Sequence, residues 1–157
     1  MLDLDRYIPF LINAIGNKWT SSSSKAYLAR YGVGITEWRL MAMLAIEPRI
    51  TAYRACQVIG LDKAAASRAL KRMEKDGFVR SWQETRTNHR KLLELTDKGK
   101  DMHDRIIRFA HQREAVLVSD LSSEEVRLLA SLLRRVLGQV PEILDLQPHG
   151  DLNEGVG

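Results

Sequence analysis

Between Thr51 and Gly77 the sequence sets out two helices with almost no chain left to join them. Thr51 is read as the N-cap of a short helix through Ile59, and Gly60 as the residue that ends it in the left-handed conformation. Asp62 caps the next helix, which runs to about Asp76 and is terminated by Gly77. Two helices linked by a three-to-four-residue turn containing glycine must cross, which is helix-turn-helix punctuation. Beyond Gly77 the period changes: residues 78–82 and 91–95 are short strand-like runs around a polar segment, residues 83–90, and read as a hairpin.

The segment after Asp62 has two chemically opposite faces. Placed on a wheel at about 100° per residue, Leu70 and Met73 fall within about 40° of Ala66, giving a narrow apolar face for the core. Ala64, Arg68, Lys71 and Lys75 lie within about 40° of the opposite point, with Ser67 and Arg72 flanking them. A helix that enters a major groove needs small residues near its start and cations for guanine edges and phosphates. Ala64, Ala65 and Ser67 meet the first need, next to Lys63; Arg68 can donate bidentately to a guanine, and Lys71 and Lys75 suit phosphates.

Charge is concentrated in the same place. The whole chain has a formal net charge of +4, but residues 63–91 contain nine basic residues against three acidic ones. A local cationic surface of this kind suits a polyanion. In the hairpin, Arg86, Asn88, His89, Arg90 and Lys91 face only Glu84, so its tip is too polar to bury and could place an arginine in a minor groove. Arg90 is the first candidate for that role and Arg86 the reserve.

Around this core the pattern is helical. Leu4, Tyr7, Ile8, Leu11, Ile12 and Ile15 recur at three and four, with Pro9 in or near the first turn and residues 21–24, four serines, weakening the helix further on. Thr36 is expected to cap a helix carrying Trp38, Leu40, Met41 and Leu44 that Pro48 ends. After Thr96 the spacing of Met102, Ile106, Phe109, Ala110 and Val116 predicts another helix. Ser122 and Glu125 form a capping box before a stripe of Leu129, Leu132, Leu133, Val136, Leu137 and Val140, which Pro141 is expected to stop. The end of the chain, residues 147–157, is expected to be a disordered tail.

Other classes receive no positive support. With 157 residues the chain is sized for one domain, and an apolar run of at most seven residues cannot span a bilayer, which needs about 20. Acidic and basic residues at Asp3, Asp5 and Arg6 interrupt any secretory signal, so a soluble, cytoplasmic protein without membrane association is expected. One cysteine, Cys56, excludes an intramolecular disulfide framework and zinc sites built on paired cysteines; it is read as a buried thiol. The histidines are scattered, and no nucleophile elbow, phosphate loop or glycine fingerprint occurs, so no metal, cofactor or catalytic residue is assigned and no enzyme is expected. The three tryptophans, Trp19, Trp38 and Trp82, are read as core rather than as a ligand pocket.

The run at residues 61–80, Leu-Asp-Lys-Ala-Ala-Ala-Ser-Arg-Ala-Leu-Lys-Arg-Met-Glu-Lys-Asp-Gly-Phe-Val-Arg, closely resembles the recognition-helix signature of the multiple-antibiotic-resistance-regulator (MarR) family. Thr36-Glu37-Trp38-Arg39 before it and Leu95-Thr96-Asp97-Lys98-Gly99 after it match the flanking signatures in the same order, and the resemblance covers residues 5 to 141. It implies a mainly α, winged helix-turn-helix protein, one domain over 1–157, with dimerisation helices at 5–30 and 97–141 and a DNA-binding lobe at 36–96. It further implies a homodimeric transcriptional regulator of a pseudo-palindromic double-stranded operator, a repressor released by a small aromatic or phenolic effector whose binding residues stay unknown. Two-fold symmetry sets half-sites roughly 34 Å apart.

The chain departs from the pattern in places. The usual Asp-x-Arg of the wing is matched only by Asn88-His89-Arg90, displaced by one residue, and Arg54, Ala55 and Cys56 stand where Glu, Leu and Ala are typical. The branch that senses hydroperoxides through cysteine carries it in the first helix, which has none here. Two alternatives stay open: a winged-helix protein-interaction module without DNA binding, and a redox-responsive regulator using Cys56.

Overall fold

A computed structural model describes residues 2–83 and 90–144. Helix α1 spans Ile8–Tyr31, α2 Ile35–Ile46, α3 Ala52–Ile59, α4 Lys63–Lys75, α5 Asp97–Leu117, α6 Ser123–Gly138 and α7 Val140–Leu144. Three strands, β1 (Ile50–Thr51), β2 (Val79–Gln83) and β3 (Lys91–Leu95), form an antiparallel sheet in the order β1-β3-β2. Val79 lies opposite Leu95 and Gln83 opposite Lys91, so the hairpin register is even along its described length. The fold is thus mainly α with a small β-hairpin wing, as expected.

The backbone divides into two units, Met1–His111 and Gln112–Gly157. In the first, Leu40, Met41 and Leu44 of α2 are fully or almost fully buried, together with Tyr27 of α1, Met73 of α4 and Ile106 of α5. The inward positions of the sheet, Ile50, Val79, Leu93 and Leu95, complete this core. Tyr27 meets Trp38 and Phe109 edge-on, with ring centroids 5.8 and 6.0 Å apart, and Trp38 stacks on His103. Trp38 is accordingly a core residue. Cys56 is buried too.

Most of the sequence punctuation is where it was expected. Thr51 accepts a hydrogen bond from the Arg54 amide, Asp62 from the Ala65 amide at 2.8 Å, and Ser122 and Glu125 cap α6 reciprocally. Gly60 ends α3 at φ 69°, a conformation that a side chain with a Cβ adopts only at a cost.

Three expectations fail and one element went unread, each for an identifiable reason. Gly34, not Thr36, is the N-cap of α2, which begins at Ile35 without a side-chain cap. The serine tract does not weaken α1, which starts only at Ile8 and then runs unbroken for 24 residues; Ser23 is completely buried, so packing overrides the low propensity. Pro141 is not what stops the last long helix: α6 already ends at Gly138, and Pro141 sits in the first turn of α7, where its missing N–H leaves no helical bond unmade. Strand β1 went unread because two residues show no period; its pairing of Ile50 with Leu93 makes it visible only in three dimensions.

Candidate nucleic-acid interface

Helix α4 realises the two faces that its sequence carries. Ala66, Leu70 and Met73 are buried, and Ala69 joins them. On the other side Lys63, Ala64, Ser67, Arg68, Lys71 and Lys75 are exposed, and Ala65 is half-buried. Small side chains at 64, 65 and 67 leave the first two turns low enough for a flat surface to approach, with the Arg68 fork and the two later lysines standing beyond them.

Salt bridges sort the cations of this region into two kinds. Arg72, which flanks the basic face, stays exposed but is paired: its guanidinium donates through two nitrogens to one carboxylate oxygen of Glu37, a nearly buried residue of α2. It is a tether between α2 and α4. Arg54 is held by Glu47 at 3.2 Å, and Arg49 and Arg80 share Glu94. Those two arginines, Arg80 first, hold the Glu94 carboxyl below the usual carboxylate range. Among the described residues, no ion pair engages Arg68, Lys71 or Lys75. The stripe opposite the core thus carries exposed cations whose charge no described carboxylate takes up.

The wing is clamped to α4 at two levels. Nearer the tip, the Ser81 hydroxyl and Lys91, the latter at 3.0 Å, both bind the Glu74 carboxylate. Ser81 contributes most to holding that carboxyl below its ordinary pKa, with Lys91 adding to it against the opposing effect of burial. At the base, the Thr96 hydroxyl donates to the Gly77 carbonyl at 2.6 Å and accepts from the Gly99 amide, while Lys98 donates to the Asp76 carbonyl. Any side chain at Gly99 would run into the Phe78 carbonyl. The run Leu95-Thr96-Asp97-Lys98-Gly99 therefore fastens the start of α5 to the end of α4 and fixes where the hairpin leaves the helix.

Between α3, α4 and β3 lies an open groove of about 430 Å³, with Tyr53, Lys63, Ser67, Lys71 and Lys91 around an apolar floor that includes Leu93 and Cys56. Tyr53, which the sequence reading passed over, is 59% exposed on the first turn of α3. Arg90 is exposed immediately before β3, at the end of the hairpin away from its base. Arg86, Asn88 and His89 lie outside the described residues, as does the expected tail at 147–157. No helix of the described residues is long and apolar enough to cross a membrane.

Two crossing helices, the second with an exposed cationic face, followed by a clamped β-hairpin, define a winged helix-turn-helix protein. Residues 31–91 match the MarR family. A curated relative, the uncharacterised HTH-type transcriptional regulator YwaE of Bacillus subtilis (strain 168), is 26% identical over 109 residues, which are 69% of this chain and 64% of the relative. The match thus spans just under two thirds of that protein. The crystal structure of a MarR/EmrR family transcriptional regulator from Acinetobacter sp. ADP1 superposes with a TM-score of 0.83 at 28% identity, covering 90% of this chain and 99% of the other. The MepR–DNA complex of S. aureus shares the fold at 17% identity, with a TM-score of 0.70 over 84% of this chain and 95% of that one. Over its helix-turn-helix segment this chain is thus similar to the MarR family, and it shares the fold of the MarR regulators.

Proposed function

We propose that the chain is a sequence-specific, double-stranded DNA-binding transcriptional regulator, acting as a homodimeric repressor that a small aromatic or phenolic effector releases. The observation that carries this reading is the exposed stripe of Arg68, Lys71 and Lys75 on α4, free of ion pairs among the described residues and set back to back with Ala66, Leu70 and Met73. In this reading α4 lies in a major groove: Arg68 reads a guanine, Lys63, Lys71 and Lys75 meet phosphates, and Ala64, Ala65 and Ser67 permit close approach. Arg90, with Arg86 in reserve, reaches a minor groove. Capture of DNA by a MepR of the same fold supports the partner class.

Dimerisation is supported by the apolar side chains that the described structure leaves uncovered. Residues 5–30 and 97–141 take the role of dimerisation helices, because Ile8, Phe10, Ile12 and Ile15 of α1 and the whole stripe of α6 are exposed. A second copy covers such surface and places two lobes on successive major grooves. Residues 36–96 are then the DNA-binding lobe, the protein works in the cytoplasm, and no step of this role needs catalysis.

The test is a binding titration of the full chain against a duplex selected from a random library, across a range of salt. The expected result is a steep linear fall of log affinity with log salt, and a loss of about 1–3 kcal/mol with relaxed sequence preference in Arg68→Ala. A flat salt dependence would instead favour a winged-helix module that binds protein. Arg68→Ala indistinguishable from the native chain would remove α4 from the interface.

A further inference from the structure

We propose that Tyr53 is a DNA-backbone contact, its phenolic O–H donating to a phosphate oxygen beside the groove that α4 occupies, with Gln57 and Lys63 holding the ring in place. The inference rests on the DNA-binding reading of α4 and adds a residue from the preceding helix. Tyr53 stands on the first turn of α3, an amphipathic helix whose inner side buries Ala55 and Cys56. Its ring is on the outer side and largely exposed. An exposed aromatic of this size gains little from folding where it stands, yet two neighbours fix it.

The first is Gln57, one turn along, whose amide nitrogen donates to the phenol oxygen at 2.7 Å. A phenol that accepts a hydrogen bond keeps its own proton to give, so the contact orients the hydroxyl and leaves it a donor. The second is Lys63, the first residue of α4, whose ammonium lies 5.9 Å from the ring centroid. Tyr53 thereby ties the entry of one helix to the entry of the other. It also shares the rim of the 430 Å³ groove with Ser67, Lys71 and Lys91, residues of α4 and of the wing. It therefore lies across an open groove from Lys71 of the cationic stripe.

The chemistry of that position favours a phosphate over a base. The first helix of a helix-turn-helix crosses the DNA backbone, and tyrosine hydroxyls are among the neutral donors that bind phosphate oxygens there. A neutral donor adds affinity without displacing a counterion, which separates it experimentally from its lysine neighbours.

Tyr53→Phe keeps the ring and removes only the proton. The full chain and this variant are titrated by fluorescence anisotropy against the library-selected duplex and a scrambled duplex, each at several salt concentrations. Tyr53→Phe should weaken binding to both duplexes by the same factor, about three- to tenfold, with an unchanged salt slope. Lys63→Ala should instead lower the slope by about one, and Gln57→Leu should give a smaller loss of the Tyr53→Phe kind. The native Tm should persist in Tyr53→Phe. Native-like affinity in Tyr53→Phe, a loss confined to the selected duplex, or a loss matched by a lowered Tm would each overturn the proposal while leaving the regulator reading intact. Failure of the native chain to bind either duplex would strike the regulator reading first.

Discussion

Helices α4 and α6 have the same kind of sequence and opposite fates. Each has an N-cap that accepts an amide hydrogen bond, apolar residues at three and four, and charges on the other side. In α4 the apolar residues vanish into the core of their own unit; in α6 no residue is buried, and Leu129, Leu132, Leu133, Val136 and Leu137 stay between 39% and 67% exposed. Amphipathic period states which side of a helix avoids water, but not what covers it. Where the cover lies within the chain, the other face is left for a ligand, as in α4. Where none lies within the described unit, as in α6, the apolar face stays exposed, and on the proposed reading a second copy covers it.

The largest effect should come from breaking α6. Leu132→Glu puts a carboxylate in the centre of the stripe; light scattering should then report a monomer, and operator affinity should fall on the order of a hundredfold because two linked half-site contacts become one. A variant that stays dimeric would show that α6 is not the covered face. Next comes Leu70→Ala in α4, which removes a buried side chain from the lobe and should cost about 2–5 kcal/mol of stability in denaturant unfolding. The contrast sharpens if Leu70→Ala leaves the oligomeric state alone. A near-neutral Leu70→Ala would mean that the inner face of α4 is less well covered than its burial indicates.

What could be read from the sequence follows the range of the physics involved. Thr51, Asp62 and the Ser122–Glu125 pair are local devices that satisfy amides within one turn, so spacing alone placed them. The faces of α4 were equally legible, because a wheel needs only the helix itself. The Arg72–Glu37 tether was not: 35 residues separate its partners, and on the wheel Arg72 is one more flanking cation. Strand β1, the buried Ser23 and the exposed Tyr53 escaped for the same reason, each being defined by neighbours distant in sequence or by packing. The Leu95–Gly99 run was recognisable as a signature, yet its clamp on Gly77 and Phe78 emerges only from the folded chain.

The smallest effect concerns a polar edge of α4 that the wing clasps. Glu74 borders the buried face of α4 and is clasped by Ser81 and Lys91 of the wing, with Ser81 the main cause of its lowered pKa. A carboxyl whose pKa falls on folding adds stability above its unfolded value, about 4.3, and loses it as the pH drops through the lower folded value. Ser81→Ala removes the larger cause and leaves Lys91. At neutral pH it should cost about 1 kcal/mol or less, the pair being partly exposed, and the gap from the native chain should narrow in acid below about pH 4. Denaturant midpoints at the two pH values measure this. A gap that is equal at both would mean that Ser81 contributes by packing alone, and that the wing is joined to α4 by the Thr96–Gly77 clamp without help from charge.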